Sequence, residues 1–232
     1  MNITIQNLTK KFGDKTAVCI PEFHLTHNEI VGLVGNNGSG KTTFFRLLTD
    51  LTKADTGEVL LNGINPAHSE AWKAHTGVYL DESFLIDYLT PEEYFNFIAT
   101  VSGIDSATLQ QRLQTFESFM NGEIIGTKKL IRNFSAGNKQ KIGIIAAMLS
   151  TPTFLILDEP FNFLDPSGQN ALKQLICNYA KQNNTTVIIS SHNLHHTIDI
   201  STRIVLLEDG NIINDFSDVD ADAKNQLEVY FQ

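Results

Sequence analysis

Gly35-Asn36-Asn37-Gly38-Ser39-Gly40-Lys41-Thr42 is the stretch of sequence that decides the fold. It follows the segment from Glu29 to Val34, which has the apolar composition of a buried strand, and it leads into a helical run from Thr42 to Leu48. The spacing of the glycines, the lysine and the threonine is that of a phosphate-binding loop between a strand and a helix. A glycine-rich turn that binds nothing is the alternative, and the flanking strand and helix argue against it.

The chemistry of this loop suits a nucleoside triphosphate with Mg²⁺. Its glycines let several backbone N–H groups point inward, and the positive end of the following helix dipole reinforces that anion site. Lys41 is expected to reach the β- and γ-phosphates, while the Thr42 hydroxyl is expected to ligate Mg²⁺. The predicted ATP-binding residues of this segment are Gly35, Asn36, Asn37, Gly38, Ser39, Gly40, Lys41, Thr42 and Thr43.

A second chemical signal stands at the end of the apolar strand from Thr153 to Leu157, where Asp158 and Glu159 follow each other. Two adjacent carboxylates at a strand end are costly to stabilise by pairing alone. We therefore expect Asp158 to hold the Mg²⁺ shell and Glu159 to orient and polarise the attacking water. The alternative is an ordinary strand end without a chemical role, and the phosphate loop elsewhere in the sequence argues against it.

The order of segments predicts an α/β fold with a mainly parallel core sheet. Continuous apolar runs such as Thr186 to Ser190 are typical of buried parallel strands, and a helical segment from Gly168 to Ala180 precedes that run. Glu58 to Leu61 predicts an antiparallel layer, and the capping signal at Thr90 opens a stretch of helical periodicity. The predicted organisation is one domain with an ATPase core at 1–80 and 150–215, a helical subdomain at about 84–149 and a tail at 216–232.

Composition limits the classes of protein. The 232 residues are 42% hydrophobic and 19% charged, which suits one large globular domain, and the formal net charge of −9 disfavours nucleic acid as a partner. Two cysteines and an N-terminus without a secretory signal suggest a reducing cytoplasm. The longest apolar run, Ile142 to Leu149, is far short of the roughly 20 residues that span a bilayer. The ending at 227–232 is either native or the remnant of a processing-protease site.

A resemblance to the ATP-binding-cassette (ABC) ATPases rests on further motifs. Asn133-Phe134-Ser135-Ala136-Gly137-Asn138-Lys139-Gln140-Lys141 resembles the signature loop of that family and precedes Asp158 at a typical separation. The segment from Glu159 to Pro166 resembles its D-loop, and Ser190-Ser191-His192 resembles the segment that carries its switch histidine. Together with the phosphate loop, these motifs stand in the family's order between Phe12 and His192. The resemblance implies a phosphate-loop NTPase cassette with an antiparallel β-layer and an inserted α-helical subdomain.

The resemblance also implies roles for single residues. Ser135, Ala136 and Gly137 would contact the γ-phosphate bound on a second copy of the domain, although Ser135 by itself has the chemistry of a helix N-cap. His192 would hydrogen-bond the γ-phosphate and support the water held by Glu159. Phe12 would stack on adenine, with core packing as the alternative. Asp165 of the D-loop completes the predicted ATP contacts.

The position of the family's glutamine loop is occupied by acidic residues. Asp81 stands where a glutamine is usual, and Glu82 follows it. A carboxylate there can still ligate Mg²⁺ directly or through water. Both residues are therefore candidate metal ligands, and ordinary exposed loop acids are the alternative. Acidic versions of this loop resemble exporters of bacitracin-like and lantibiotic peptides.

The functional expectation is an ATP-hydrolysing subunit of an ABC transporter. It would act with a separate membrane permease, on the cytoplasmic side of the membrane, and would pair with a second nucleotide-binding domain as a homodimer or heterodimer around ATP. Export of peptides, drugs or lipids fits the acidic loop and the short segment after His192. A cassette ATPase in translation or chromosome maintenance is the alternative.

Overall fold

The computed structural model describes residues 2–231, which contain nine strands and eight α-helices. The strands are β1 (Ile3–Phe12), β2 (Lys15–Leu25), β3 (Ile30–Val34), β4 (Thr56–Leu61), β5 (Thr76–Tyr79), β6 (Phe154–Leu157), β7 (Thr186–Ser191), β8 (Arg203–Glu208) and β9 (Asn211–Phe216). The helices are α1 (Lys41–Leu48), α2 (Pro91–Val101), α3 (Ser106–Thr115), α4 (Glu117–Met120), α5 (Ala136–Met148), α6 (Pro166–Asn183), α7 (Leu194–Ile198) and α8 (Ala221–Tyr230).

The larger sheet has six strands in the order β5-β6-β7-β3-β8-β9. All neighbouring strands are parallel except β8 and β9, which are antiparallel. Strands β3, β6 and β7 are buried along their whole length, as their continuous apolar sequences predict. Because β7 lies between β3 and β6, the carboxyl ends of these three strands meet at one edge of the sheet. The predicted α/β fold with a mainly parallel core sheet is confirmed.

A second sheet of three antiparallel strands, in the order β2-β1-β4, packs against the first through a common core. Phe23 of β2 meets Phe44 of α1 edge to face, with ring centroids 6.1 Å apart. The β1–β2 hairpin also reaches the backbone after β8, where Cys19 N–H donates to the carbonyl of Gly210 at 2.7 Å. The antiparallel layer therefore supports α1 and the loop that precedes it.

Between residues 84 and 149 the described elements are helical. Helix α2 begins with the predicted capping box, in which Thr90 and Glu93 cap each other's backbone, and Pro91 occupies its first turn. Helix α5 is buried from Gln140 to Met148, because it packs on β5 and on the helices around it. The domain limits themselves stay a prediction.

The segment after Gly210 has more structure than its weak sequence pattern suggests. Strand β9 extends the large sheet, and α8 packs on the outer side of it through Leu227, which has no exposed surface. Leu227 packs against a surface that includes Val34, Ile204 and Leu206, all of which are far from Leu227 in the sequence. Met1 and Gln232, the last residue of the segment 227–232, lie outside the described residues.

Candidate nucleotide-binding and catalytic site

The loop between β3 and α1 curls around the side chain of Lys41. The Lys41 ammonium donates to the carbonyl of Gly35 at 2.7 Å and to that of Asn36 at 3.2 Å, and Ser39 N–H closes the turn on the Asn36 carbonyl at 3.1 Å. Lys41 is only 6% exposed, and burial lowers its pKa. A buried cation that is held only by neutral carbonyls and one more distant carboxylate suits an anionic ligand.

Helix α1 starts with free donors that face this loop. Gly40 is its N-cap, with a φ of 110° and no side-chain capping bond. A Cβ at Gly40 would lie 2.4 Å from the carbonyl oxygen of Ala17, so only glycine fits against the β1–β2 hairpin. Within the described residues, the buried hydroxyl of Ser39 has no hydrogen-bond partner. The first turn of α1 and this hydroxyl together fit a phosphate group.

Asp158 stands at the carboxyl end of β6 and links the phosphate loop to β7. It accepts a hydrogen bond from the Thr42 hydroxyl at 2.6 Å and another from the Ser190 hydroxyl. Burial raises the pKa of Asp158, although both hydrogen bonds act to lower it. The Asp158 carboxylate and the Thr42 hydroxyl are oxygen donors of the kind that Mg²⁺ prefers, so the residues present fit that ion.

Glu159 lies between Lys41 and His192. Its carboxylate accepts a hydrogen bond from the His192 backbone N–H at 3.3 Å and contacts His192 Nδ1 at 2.8 Å, while Lys41 Nζ lies 3.7 Å away. The Glu159 backbone is in the left-handed region, with a φ of 47°. That conformation is uncommon for a residue other than glycine, asparagine or aspartate, and strained backbone of this kind clusters at functional sites.

Buried charge is concentrated here. Among the described residues, Lys41, Lys141 and Asp158 are the only fully charged side chains that are buried. Lys41 and Asp158 belong to the predicted site, and Lys141 is the last residue of the signature segment. Since burying a charge is costly, this distribution indicates a role other than stabilising the fold.

Asp81 and Glu82 line the same cleft as Thr42, Asp158 and Glu159, a space of about 300 Å³ that we call the phosphate cleft. Each nevertheless has a protein partner: Asp81 accepts from the Ser83 backbone at 2.8 Å, and Glu82 lies 3.7 Å from Lys139 Nζ. Residues 2–231 contain no group of three or more His, Cys, Asp or Glu side chains that could hold a metal. The two acids as Mg²⁺ ligands stay a prediction.

The signature segment faces a different space. Ser135 is the N-cap of α5 and accepts a hydrogen bond from Asn138 N–H at 3.3 Å, as its cap chemistry predicts. Ser135, Gly137 and Asp165 line a second cleft of about 400 Å³, the signature cleft, which the phosphate loop does not border. Ala136 borders the first cleft. Within one chain, Ser135 and Gly137 therefore do not line the same cleft as Thr42, Asp158 and Glu159.

Asp165 is the N-cap of α6. One of its carboxylate oxygens accepts a hydrogen bond from Gly168 N–H at 2.9 Å and the other accepts one from the Ser167 hydroxyl at 3.0 Å. The Gly168 bond holds the pKa of Asp165 below its usual range. The residue has a clear structural task, and its contact with ATP stays a prediction.

Phe12 is not part of the core. It is 57% exposed at the end of β1, with Lys10 Nζ 5.5 Å from the centre of its ring. The core-packing alternative for this residue is therefore wrong. The hairpin that carries Phe12 approaches the phosphate loop at Ala17, and the exposed ring is available for a planar ligand.

Two residues that the sequence did not single out complete the geometry. Ser190, at the end of β7, donates to Asp158 and accepts from the backbone N–H of Glu159 at 2.8 Å. Gln140 of α5 donates to the Glu159 carbonyl at 3.3 Å and so connects the signature helix to the backbone of Glu159. A buried polar residue at the end of an apolar strand was the available signal for Ser190.

Comparison with known proteins agrees with this geometry. Residues 20–162 match the family described as ABC transporter. The chain is 33% identical over 224 residues to the uncharacterized ABC transporter ATP-binding protein YcbN of Bacillus subtilis (strain 168), covering 96% of this chain and 72% of that protein. It is 31% identical to the bacitracin transport ATP-binding protein BcrA of Bacillus licheniformis, covering 99% and 74% of the two chains.

A solved structure described as the ATP-binding subunit of an ABC transporter superposes with a TM-score of 0.86 at 25% identity, covering 99% of this chain and 94% of that one. The arrangement of the two sheets and the helices is thus found in a solved cassette. Between residues 2 and 231, no helix has the length and apolar character needed to cross a membrane.

Proposed function

Because the chain belongs to the ABC transporter family, as an ATP-binding and ATP-hydrolysing cassette, we propose that it powers a separate membrane permease through the site around Lys41, Asp158 and Glu159. The proposal rests on one observation: the phosphate loop lies beside the carboxylates of Asp158 and Glu159. Thr42 Oγ1 and Asp158 lie 2.6 Å apart, and Glu159 lies between Lys41 and His192. These contacts support the proposal that a phosphate site, a metal site and a general base lie together at one edge of the sheet.

The phosphate loop binds the triphosphate. Lys41 turns from its carbonyl partners to the β- and γ-phosphates, and the backbone N–H groups of Gly38 to Thr43 surround the phosphate oxygens. Phe12 stacks on the base. Mg²⁺, when bound, neutralises charge on the phosphate oxygens, and Thr42 and Asp158 would hold it.

Glu159 acts on the attacking water. Its carboxylate is exposed enough to reach water, at 22% of its side-chain surface, whereas Asp158 is almost fully buried. His192 fixes the orientation of Glu159 through Nδ1 and its backbone N–H. Their different exposure assigns different roles to the two carboxylates: Asp158 would bind the metal, and Glu159 accepts the proton of the water.

The signature segment completes the site of a second copy. Ser135 and Gly137 border a cleft that the phosphate loop of the same chain does not reach. The N-terminus of the thirteen-residue helix α5 offers donors to an anion from outside. Two chains that pair face to face would enclose two ATP molecules, each between one phosphate loop and the opposite signature segment. This chain, or a related cassette, is the partner.

The permease docks beside the acidic loop. An apolar groove of about 420 Å³ contains Trp72 and Leu80, and its rim carries Leu51 and Phe84, which are each about half exposed, at 52% and 50%. Phe84 belongs to the turn that begins at Asp81, so a segment in the groove contacts the loop that borders the phosphate cleft. Apolar surface of this kind marks a protein contact. The chain would then lie on the cytoplasmic side of the membrane.

Export is the direction that the acidic loop and the bacitracin transport relative support. The substrate class is peptides, drugs or lipids. The alternative of translation or chromosome maintenance has no support among the reported relatives, and the net charge of −9 argues against it.

The test is co-expression with the permease encoded beside this protein, followed by purification from detergent-solubilised membranes. An integral membrane partner should co-purify, and its presence should change the ATPase rate. Phe84→Asp should abolish co-purification because it puts a charge into the apolar groove, whereas Tyr88→Asp, at an aromatic side chain that is 66% exposed outside the groove, should not. Co-sedimentation with ribosomes instead of membranes would contradict the proposal.

A further inference from the structure

Phe163 is a bulky aromatic residue in an unfavourable position. Its side chain is 74% exposed, the highest value among the large hydrophobic residues of the described chain, and its φ is 60°. The left-handed region suits glycine and asparagine, and an aromatic residue in it is strained. Phe163 thus combines backbone strain with exposed apolar surface, and neither favours the isolated chain.

The neighbouring residues explain why the ring points outward. Phe161, which is 4% exposed, packs on the ring of His196 with the centroids 5.1 Å apart, and Leu164 is also buried. The Phe163 carbonyl lies so close to α5 that a Cβ at Gly137 would be 2.5 Å from it. Phe161 and Leu164 are thus buried on either side of Phe163 in the sequence, and the Phe163 carbonyl packs against α5. The side chain of Phe163 is left facing solvent.

Phe163 also lies between the two half-sites. It lines the phosphate cleft together with Thr42 and Glu159, and it lines the signature cleft together with Ser135 and Asp165. Residues that border both clefts belong to the face on which the two clefts open. In a symmetric pair that encloses ATP between opposite half-sites, that face is the interface on both chains.

We propose that Phe163 is an aromatic anchor of the ATP-dependent pair, and that its ring is buried against a second copy of this chain. The inference rests on the proposed sandwich. A large side chain near the centre of an interface, where it is fully desolvated, contributes more than its neighbours do. The polar residues that surround it, Asn162, Ser135 and Asp165, form the rim. Pairing would bury the exposed apolar surface that is unfavourable in the single chain.

The test separates strain from contact by substitution in a Glu159→Gln background, which slows hydrolysis. Phe163→Asn keeps a residue that tolerates a positive φ and removes the ring. It should leave ATP binding by the monomer and the melting temperature unchanged or slightly raised, while ATP-dependent dimerisation, measured by light scattering after gel filtration, weakens at least tenfold. Phe163→Tyr should retain dimerisation. Tyr88→Asn, which removes an exposed aromatic ring outside both clefts, is the matched control and should also retain it.

The outcomes distinguish the two proposals. If the Glu159→Gln parent forms an ATP-dependent dimer and Phe163→Asn forms it equally well, the sandwich stands and the anchor is wrong. If the parent stays monomeric with ATP, the homodimeric sandwich is wrong and the anchor is wrong with it. If Phe163→Asn and Tyr88→Asn weaken dimerisation to the same extent, a specific role for Phe163 is excluded.

Discussion

The phosphate cleft and the signature cleft differ in how much of their chemistry one chain provides. At the first, the phosphate loop provides the buried Lys41, and a hydrogen-bond network runs from Thr42 through the buried Asp158 to Ser190. The second is bordered by Ser135 and Asp165, which are exposed and act as helix caps, and by the buried Lys141, which already pairs with Glu123 at 3.4 Å. A site that buries both a lysine and an aspartate is organised before the ligand arrives, whereas helix caps at the surface become a site only when another molecule supplies the remaining contacts.

Glu159→Gln is expected to have the largest effect on the phosphate cleft. Glutamine keeps the size and the hydrogen bonds toward His192 but removes the charge that polarises water, so hydrolysis should slow by about 10²-fold or more. ATP binding should survive, and a nucleotide-bound dimer should accumulate. Single-turnover hydrolysis and retained nucleotide are the measurements.

The comparison variant is Asp158→Asn, which should weaken Mg²⁺-ATP binding itself because it removes the charge from the proposed metal ligand. Two results would contradict the roles assigned to the two carboxylates. One is hydrolysis by Glu159→Gln at nearly the wild-type rate, and the other is a loss of nucleotide from Glu159→Gln as rapid as that from Asp158→Asn.

Lys41→Ala should weaken ATP binding by about 10- to 100-fold, because the loop loses the cation that faces the β- and γ-phosphates. Lys73→Ala is the control, since Lys73 is an exposed lysine that pairs with Glu70, three residues before it, and lies outside the phosphate loop. Equilibrium binding of a fluorescent ATP analogue measures both. An affinity of Lys41→Ala within threefold of wild type would contradict the phosphate-loop assignment.

Ser135→Arg tests the signature cleft. In the Glu159→Gln background it should leave ATP binding by the monomer intact and weaken ATP-driven pairing at least tenfold, because the arginine obstructs the opposite copy's γ-phosphate. Ser106→Arg, a matched change at the start of α3, should pair normally. Light scattering decides between them, and if Ser135→Arg pairs as well as its control, Ser135 is only the cap of α5.

The sequence predicted the phosphate cleft better than the periphery, for a physical reason. Strand β3, its loop and α1 are consecutive, and the apolar runs of β6 and β7 are continuous, so local patterns carry the information. The packing of Leu227 on β8 and the outward turn of Phe163 depend on contacts between distant segments. The same holds for Ser190, whose two hydrogen bonds exist only because β7 lies beside β6.

The smallest effect that we predict is a change in melting temperature when the acid of each cleft is neutralised. Asp158→Asn and Asp165→Asn should differ in the direction of that change. Burial raises the pKa of Asp158 above its ordinary value of 3.8, so its ionised form destabilises the nucleotide-free fold, and that cost appears as pH rises through the folded-state pKa. Asp158→Asn should therefore raise the melting temperature at neutral pH. A gain of about 1 kcal/mol corresponds to roughly 2–4 °C for a domain of this size.

The signature-cleft acid provides the control of opposite sign. The Gly168 N–H bond lowers the pKa of Asp165, so its ionised form stabilises the fold above the ordinary value of 3.8, and that contribution is lost as pH falls through the lowered pKa. Asp165→Asn should leave the melting temperature at neutral pH unchanged or slightly lower, because asparagine still caps α6. Scanning calorimetry between pH 4 and pH 8, without nucleotide, measures both variants. The advantage of Asp158→Asn should shrink as the pH approaches 4, and an Asp158→Asn protein less stable than wild type at every pH would mean that the Thr42 and Ser190 hydrogen bonds outweigh the cost of burying the charge.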